Sequence, residues 1–260
     1  MRTFFALVII PIAFITISAT QASADGHITV GDSLSYSQGK YGTRSNIDIV
    51  YDEMYIQYQN GNATVKLTVP FESVKGLPIG STISGGTVVN SKSTQTKDVS
   101  GLGDVMLEGG YTLLPASGLR PSITPYCKIK FGTASQSDGL GTGENDYEAG
   151  LNLQQMYSQT FFPFASLGYR SIGNPSGYSL KNIWTYKMGA TYAVTGANFL
   201  SAMVSGTSAQ QSGLTGPLDF VVAWNYNTTV SGSGFQVYLD KGLNNTSSNF
   251  GIGVAAQYVF

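Results

Sequence analysis

The segment Ile123-Thr-Pro-Tyr-Cys-Lys-Ile-Lys-Phe131 decides the fold class of this chain. Apolar and polar side chains alternate along it, with Cys127 and Ile129 on one parity and Lys128 and Lys130 on the other. A period of two is that of a β-strand whose two faces meet different surroundings. The segment therefore predicts a strand with one face towards lipid and the other towards a polar lumen.

The same alternation recurs along the whole chain and predicts twelve strands, an even number as expected for an antiparallel transmembrane β-barrel. The connections between these strands alternate in length. Short ones such as Gln59–Asn62, which contains the turn dipeptide Asn60-Gly61, follow longer ones rich in Gly and Ser. Short periplasmic turns and long external loops are typical of the bacterial outer membrane, so both termini are expected in the periplasm.

Composition favours the same all-β class. Charged residues make up 11% of the chain, against about 25% in ordinary soluble proteins. The chain has 32 Gly, 16 Tyr and 13 Phe. Outward aromatic residues such as Tyr58 and Tyr111 fall at the predicted periplasmic strand ends, and Phe71 and Phe131 fall at the external ends. The formal net charge of −1 predicts no nucleic-acid partner.

The N-terminal residues have the pattern of a secretory signal peptide. Arg2 supplies a basic start, 4–17 an apolar run, and Ala22-Ser-Ala24 a cleavage site. We therefore predict a signal peptide over 1–24 and one outer-membrane barrel domain over 25–260.

The sequence offers few residues that could act in catalysis. The sole histidine, His27, precedes the first predicted strand, and the sole cysteine, Cys127, has outward parity. Asp138, Glu144 and Asp146 cluster around one loop, but their spacing matches no calcium-binding EF-hand. We predict no enzymatic activity, no catalytic residue, no cofactor and no metal ion.

The polar residues of inward parity form the candidate site. Lys128 and Lys130 are the leading ones, with Asp104 and Glu108 on the preceding strand as expected partners. Two interpretations stay open: a polar channel that binds or filters a solute, and a paired network that plugs a small barrel. The predicted lumen-lining residues are Glu53, Lys66, Asp104, Glu108, Tyr126, Lys128, Lys130, Asp146, Glu148, Arg170, Lys187, Tyr238 and Asp240.

Two places leave alternatives open. Asp52 has outward parity, where a carboxylate within the membrane is costly, unless a bulge between Asp48 and Glu53 turns it inward. The connection Glu72–Leu102 either folds into the barrel mouth as a constriction or projects outside as a hairpin, with Thr87-Val-Val89 as a short strand.

A family resemblance rests on three pieces of sequence. Ser100-Gly-Leu-Gly-Asp104, with Leu107 and Tyr111 after it, resembles a strand start of the outer-membrane family described as components of a MetA pathway of phenol degradation. Two further pieces agree, the stretch from Lys130-Phe-Gly-Thr133 to Asp146 and the Tyr258-Val-Phe260 terminus, although the family usually has proline where Gly132 stands. The resemblance implies a channel for small, apolar or aromatic compounds.

The sequence thus predicts an outer-membrane channel or transporter-like barrel that passes or binds a small solute. The alternative is a plugged structural barrel that displays its loops for surface interactions. Expected partners are outer-membrane lipid, the small-molecule solute and the barrel-assembly machinery, which would recognise Phe260.

Overall fold

A computed structural model describes residues 26–84, 87–89, 93–228 and 232–260, so the predicted signal peptide lies outside the described residues. The described part is all-β, and it contains no helix long and apolar enough to span a membrane. The strands are β1 (His27–Gly39), β2 (Ile47–Asn60), β3 (Ala63–Pro78), β4 (Thr82–Ser84), β5 (Thr87–Val89), β6 (Thr96–Leu102), β7 (Met106–Tyr111), β8 (Ser122–Lys130), β9 (Asp146–Gln154), β10 (Phe161–Ser171), β11 (Ile183–Ala193), β12 (Asn198–Thr207), β13 (Leu218–Asn227), β14 (Gly234–Gly242) and β15 (Phe250–Val259).

All strands except β4 and β5 belong to one antiparallel sheet that closes on itself. Successive strands of this sheet pair with each other, except that β6 and β7 both pair with β3, and β15 pairs with β1 from Thr29↔Val259 to Gln38↔Phe250. Because β6 and β7 both pair with β3, they count as one interrupted strand, and the barrel wall has twelve strands. The predicted fold, a closed antiparallel barrel of about twelve strands, is confirmed. Strands β4 and β5 form a separate hairpin.

The residues that alternate in the sequence face alternately the lumen and the outer surface of the barrel. On β13, outward Phe220 and Val222 are 40% and 41% exposed, whereas inward Val221 and Ala223, which alternate with them, are 1% and 3% exposed. Successive side chains of a strand point to opposite faces, so each strand presents a polar or small row inward and an apolar row outward. The outer surface is therefore a largely apolar belt.

A β-bulge separates β6 from β7. Leu102 pairs with Phe71 and Met106 pairs with Thr68, so one extra residue stands on the β6–β7 side. The Gly103 N–H donates to the Pro70 carbonyl at 2.9 Å. The bulge turns Asp104 into the lumen, where its side chain is buried.

Strand β3 and its partner extend further than the sequence suggested. The predicted connection Glu72–Leu102 is wrong at both ends, since β3 continues to Pro78 and β6 begins at Thr96. These extensions rise above the apolar belt, and their outward residues, such as Ser73 and Lys75, are therefore polar. The contrast between two faces that reveals a strand in sequence is lost there.

Asp52 lies on the outer face of the barrel. The pairing of β2 with β1 and β3 runs without irregularity, so no bulge lies between Asp48 and Glu53. Asp32 on β1 is also outward and exposed. Asp32 pairs with Met54 and Asp52 with Leu34, which makes the two carboxyls diagonal neighbours. They contact each other in a belt that is otherwise apolar.

Replacing Asp52 with leucine is expected to stabilise the barrel. The change removes a carboxyl group that has one buried, unpartnered oxygen on the apolar face. We expect the free energy of unfolding, measured by urea titration in lipid vesicles, to rise by about 1–2 kcal/mol. Asp48→Leu is the matched control, because Asp48 accepts hydrogen bonds from Tyr36 and Gln38 and its loss should not stabilise. A loss of stability on Asp52→Leu would contradict the outward placement of Asp52.

Candidate functional site

Five inward charged residues lie side by side on five neighbouring strands of the barrel, β3, β7, β8, β9 and β10. The strand register pairs Lys66 with Glu108, Glu108 with Lys128, Lys128 with Glu148, and Glu148 with Arg170. We call these five residues the charged row. Its sign alternates at every strand, so each charge has opposite charges beside it, which is the favourable arrangement for cross-strand pairs.

Two ion pairs form within the charged row. Lys128 Nζ lies 2.9 Å from Glu108 Oε2, and Arg170 Nε lies 2.7 Å from Glu148 Oε2. Lys66 instead pairs with Glu53 Oε1 at 3.3 Å. These contacts neutralise the charges that the barrel wall carries into the lumen.

Hydrogen bonds fix Glu148 further. Its Oε1 atom accepts the Tyr126 hydroxyl at 2.7 Å and the Thr185 hydroxyl at 2.8 Å, while Oε2 accepts Arg170. Lys66 in turn lies 4.1 Å from the centre of the Tyr55 ring, a cation–π contact. The charged row is therefore held rigidly at its β9–β10 end.

Water contact differs along the charged row. The side chains of Lys128 and Glu108 are 27% and 35% exposed, whereas that of Glu148 is 5% exposed. Both pairs point into the lumen, so the exposed one faces a space wide enough for solvent. Lys187 on β11 is also inward and partly exposed. Within the described residues it has no carboxylate within 4.0 Å.

A second charged group, the buried triad, consists of Lys130, Asp104 and Asp146. Lys130 Nζ lies 2.6 Å from Asp104 Oδ2 and 3.5 Å from Asp146 Oδ2, and all three side chains are at most 10% exposed. Asp104 accepts the Ala134 N–H at 3.0 Å, and Asp146 accepts the Gly173 N–H at 3.0 Å. The buried triad therefore fastens two loops, 131–145 and 172–182, to the barrel wall.

The connection between β3 and β6 folds over the mouth at this end of the barrel. We call the described residues of this connection, 79–84, 87–89 and 93–95, the cap; they include β4 and β5. Ile83 N–H donates to the Gly139 carbonyl at 2.9 Å and Thr82 Oγ1 donates to the Gly141 carbonyl at 2.7 Å. On the opposite side, Gln210 Nε2 donates to Ser84 Oγ at 2.6 Å.

Apolar contacts fix the cap on both sides of the mouth. Ile83 and Val88 belong to a cluster with Leu77 and Leu140, while Val89 packs with a second group on the far side. Val88 and Val89 are at most 1% exposed. Burial of one such side chain contributes about 1.5–3 kcal/mol, so the cap is a docked element. Of the two open interpretations of this connection, the described residues agree with the one that folds into the mouth, because they contact loops on both sides of it. In the second group, Val89 contacts Ile172, Leu180 and Ile183, and Tyr178 packs against these four residues.

Below the cap, aromatic and apolar side chains meet across the lumen. Tyr238, Met203 and Val221 form a buried cluster. Tyr51 on β2 and Phe164 on β10 pack against it. A Cβ atom at Gly253 would lie 2.2 Å from the Tyr238 ring, so only glycine leaves room for that ring. We call this cluster with Tyr51 and Phe164 the aromatic layer; it narrows the lumen.

The thirteen predicted lumen residues are buried or half-buried, and the structure separates them into different groups. The charged row and the buried triad take most of them, and Tyr238 lies in the aromatic layer. Two inward acids were missed, Glu72 and Asp219, which are 5% and 3% exposed. Both residues lie on the inward-facing parity of their strands, β3 and β13, so they could have been predicted from the alternation. Tyr51 and Phe164 were missed because an inward aromatic residue breaks the alternation that marked the strands.

Comparisons with known proteins bear on the fold. No family model matches the chain and no curated protein matches it, so the resemblance to the phenol-degradation family stays a prediction. An outer membrane channel from Pseudomonas putida F1 is similar in structure, with a TM-score of 0.66, 14% identity, and coverage of 90% of this chain and 94% of that one. The NanC porin gives a TM-score of 0.53 at 12% identity, covering 89% and 98%. The chain therefore has the fold of outer-membrane channel barrels.

Proposed function

We propose that this chain is an outer-membrane channel that passes a small solute and that its cap closes the external mouth. The observation that carries the proposal is the partly exposed pair Lys128–Glu108 inside a barrel whose outer face is largely apolar. A barrel that served only as a membrane anchor would have no need for water at charged groups in its interior. Polar lumen walls of this kind set which solutes pass.

The aromatic layer suggests what the solute is like. Tyr51, Tyr238 and Phe164 offer ring faces and edges in the same lumen that holds the charges of Lys128 and Glu108. A solute with an apolar or aromatic body and a small polar group would satisfy both surfaces. Small aromatic compounds, which the family resemblance also implies, are therefore the proposed class.

The proposed location is the outer membrane, with the capped end outside and both termini in the periplasm. The apolar belt and the closed strand order support a lipid partner. Phe260 follows the last strand, is 74% exposed and lies edge-on to Tyr258 at 4.8 Å between ring centroids. An accessible terminal aromatic is suited to recognition by the barrel-assembly machinery.

Ion selectivity in planar bilayers tests the channel proposal. We expect Glu108→Gln to shift the reversal potential in a salt gradient towards anion preference and Lys128→Met to shift it towards cation preference, because each leaves its former partner uncompensated at the solvent-exposed part of the lumen. Lys97→Met is the matched control, since Lys97 is bound to the Ser137 carbonyl near the cap. Unchanged selectivity in both test variants would refute a path along the charged row.

The alternative, a plugged barrel that displays its loops, is favoured by one observation. The cap is bound to three separate loops through Gly139, Gln210 and Tyr178, as a permanent closure would be. Liposome swelling separates the two functions. Absence of solute flux both with and without the cap would establish the plugged barrel in place of the channel.

A further inference from the structure

Lys187 is a cation of the lumen wall that lacks an acid of its own. It is half-buried on β11 and faces the lumen, since both its chain neighbours are exposed on the outer face. Among the described residues, no carboxylate oxygen lies within 4.0 Å of its Nζ atom. Glu108 and Glu148 act on it from further away, but these acids are paired with Lys128 and Arg170. An ammonium group in such a place requires a counter-charge.

Two further lysines strengthen the positive potential at this place. Lys128 and Lys66 both lie within electrostatic range of Lys187. Lys66 is balanced by Glu53 at 3.3 Å and Lys128 by Glu108 at 2.9 Å. Because each of these two lysines has one acid, Lys187 leaves its part of the lumen with an excess of positive charge. The anionic group of a solute would supply the missing counter-charge.

The ring of Tyr126 lies over two glycines of the barrel wall. A Cβ atom at Gly150 on β9 would lie 2.7 Å from Tyr126 Cε1, and one at Gly168 on β10 would clash with the Tyr126 hydroxyl oxygen. The ring therefore extends from β8 across two neighbouring strands, with one face against their backbone. Tyr126 is half-buried, so its other face is open to the lumen. A ring face of this kind can stack on an aromatic solute.

Lys187 and Tyr126 belong to the same part of the wall. The Tyr126 hydroxyl has the hydroxyls of Ser166 and Thr185 as neighbours. Ser166 pairs directly with Lys187 across β10 and β11, and Thr185 is the preceding inward residue of β11. Lys128 is likewise the next inward residue after Tyr126 on β8. Inward residues two apart on a strand are neighbours on one face, so the ring lies between the two lysines.

We propose that Lys187 and Tyr126 form a binding site for a small aromatic carboxylate, with its carboxylate at Lys187 and its ring on Tyr126. Lys128 favours the same anion electrostatically. This proposal rests on the proposed channel function and narrows its solute class from aromatic compounds with a small polar group to those with an anionic one. A solute that passes must also leave, and a ligand as small as benzoate is expected to bind weakly, with a Kd of about 1 mM.

Titration of the full barrel with benzoate tests the site, in non-ionic detergent and followed by NMR saturation transfer, with protein-free micelles as the blank. We expect saturable benzoate binding, and binding of the uncharged analogue benzamide at least about tenfold weaker. Lys187→Met should weaken benzoate binding to the level of benzamide, whereas Lys187→Arg keeps the charge and should retain most of it. Lys97→Met is the matched control, since Lys97 is bound to the Ser137 carbonyl, and it should bind benzoate as the wild type does.

A second pair of variants tests the ring. Tyr126→Leu should weaken benzoate binding by about threefold to tenfold, because the stacking contact is lost. Tyr126→Phe keeps the ring and removes the hydroxyl that donates to Glu148, so it should bind benzoate nearly as well as the wild type. Undiminished binding by folded Tyr126→Leu would overturn the placement of the solute ring.

Equal affinity of the wild-type barrel for benzoate and benzamide would overturn the proposal, and this comparison needs no variant to fold. Undiminished benzoate binding by folded Lys187→Met would overturn it as well. Binding is measured at equilibrium and without a membrane, so it is independent of solute flux. A barrel that binds benzoate but passes no solute in liposome swelling would contradict the proposed channel function alone. A barrel that passes solutes without preferring benzoate over benzamide would contradict the binding site alone.

Discussion

Replacing residues 80–94 with a short glycine–serine linker is expected to raise the single-channel conductance of the barrel roughly tenfold or more, because the cap closes the mouth of a lumen that is otherwise polar. The cap buries Ile83, Val88 and Val89 between both sides of the mouth. Its removal should leave the aromatic layer as the narrowest part of the path. Planar-bilayer recordings at fixed salt measure the change directly.

The barrel should tolerate this deletion. The cap leaves the wall at Pro78 and returns at Thr96, and these two residues are paired directly across β3 and β6. A short linker can therefore join them without changing any strand register. The same linker placed at 117–119, in a turn at the opposite end, is the matched control and should not change conductance. An uncapped, folded barrel that conducts no better than the wild type would contradict the assigned role of the cap.

Replacing Lys130 with methionine is expected to lower the free energy of unfolding by about 3–5 kcal/mol, because it leaves two buried carboxylates without their cation. Lys130 holds Asp104 at 2.6 Å and Asp146 at 3.5 Å, and it also donates to the Glu144 carbonyl. Loss of this group should also loosen the loops that support the cap. Urea unfolding in vesicles, followed by tryptophan fluorescence, measures the change.

Lys128→Met is the control for this experiment. Lys128 makes one ion pair, with Glu108, and its side chain is partly exposed. Its loss should therefore lower the free energy of unfolding by about 1 kcal/mol or less. Adding Asp104→Asn to Lys130→Met should recover part of the stability, since one unpaired charge is removed. If both lysine variants lost the same stability, the buried triad would not have the structural role that its burial implies.

Much of the fold follows from the sequence because the two faces of each strand meet opposite surroundings. Lys128 and Lys130 could be assigned to the lumen since their neighbours Cys127 and Ile129 suit only the outside. The strand number followed from the same contrast. Where the contrast disappears, as in β3 beyond Glu72, the sequence predicts a loop and the structure has a strand.

The arrangement of the site was less predictable. Parity fixes which face Lys66 occupies but not its choice of Glu53 over the directly paired Glu108. The cap depends on contacts between distant segments, such as Ser84 with Gln210, and such contacts leave no period in the sequence. Loop docking therefore has to be seen in three dimensions.

The alternation of the charged row has a consequence for how far its field extends. Lys66 is balanced by Glu53, which lies outside the row, Lys128 by Glu108 and Arg170 by Glu148, so the row and Glu53 together form three neutral pairs. The potential of such a set decays within a few ångströms, much faster than that of a ring of like charges. A molecule in the lumen is therefore sorted by what it exchanges for its hydration shell at close range, and an ion in bulk solution is neither drawn in nor repelled by this part of the wall.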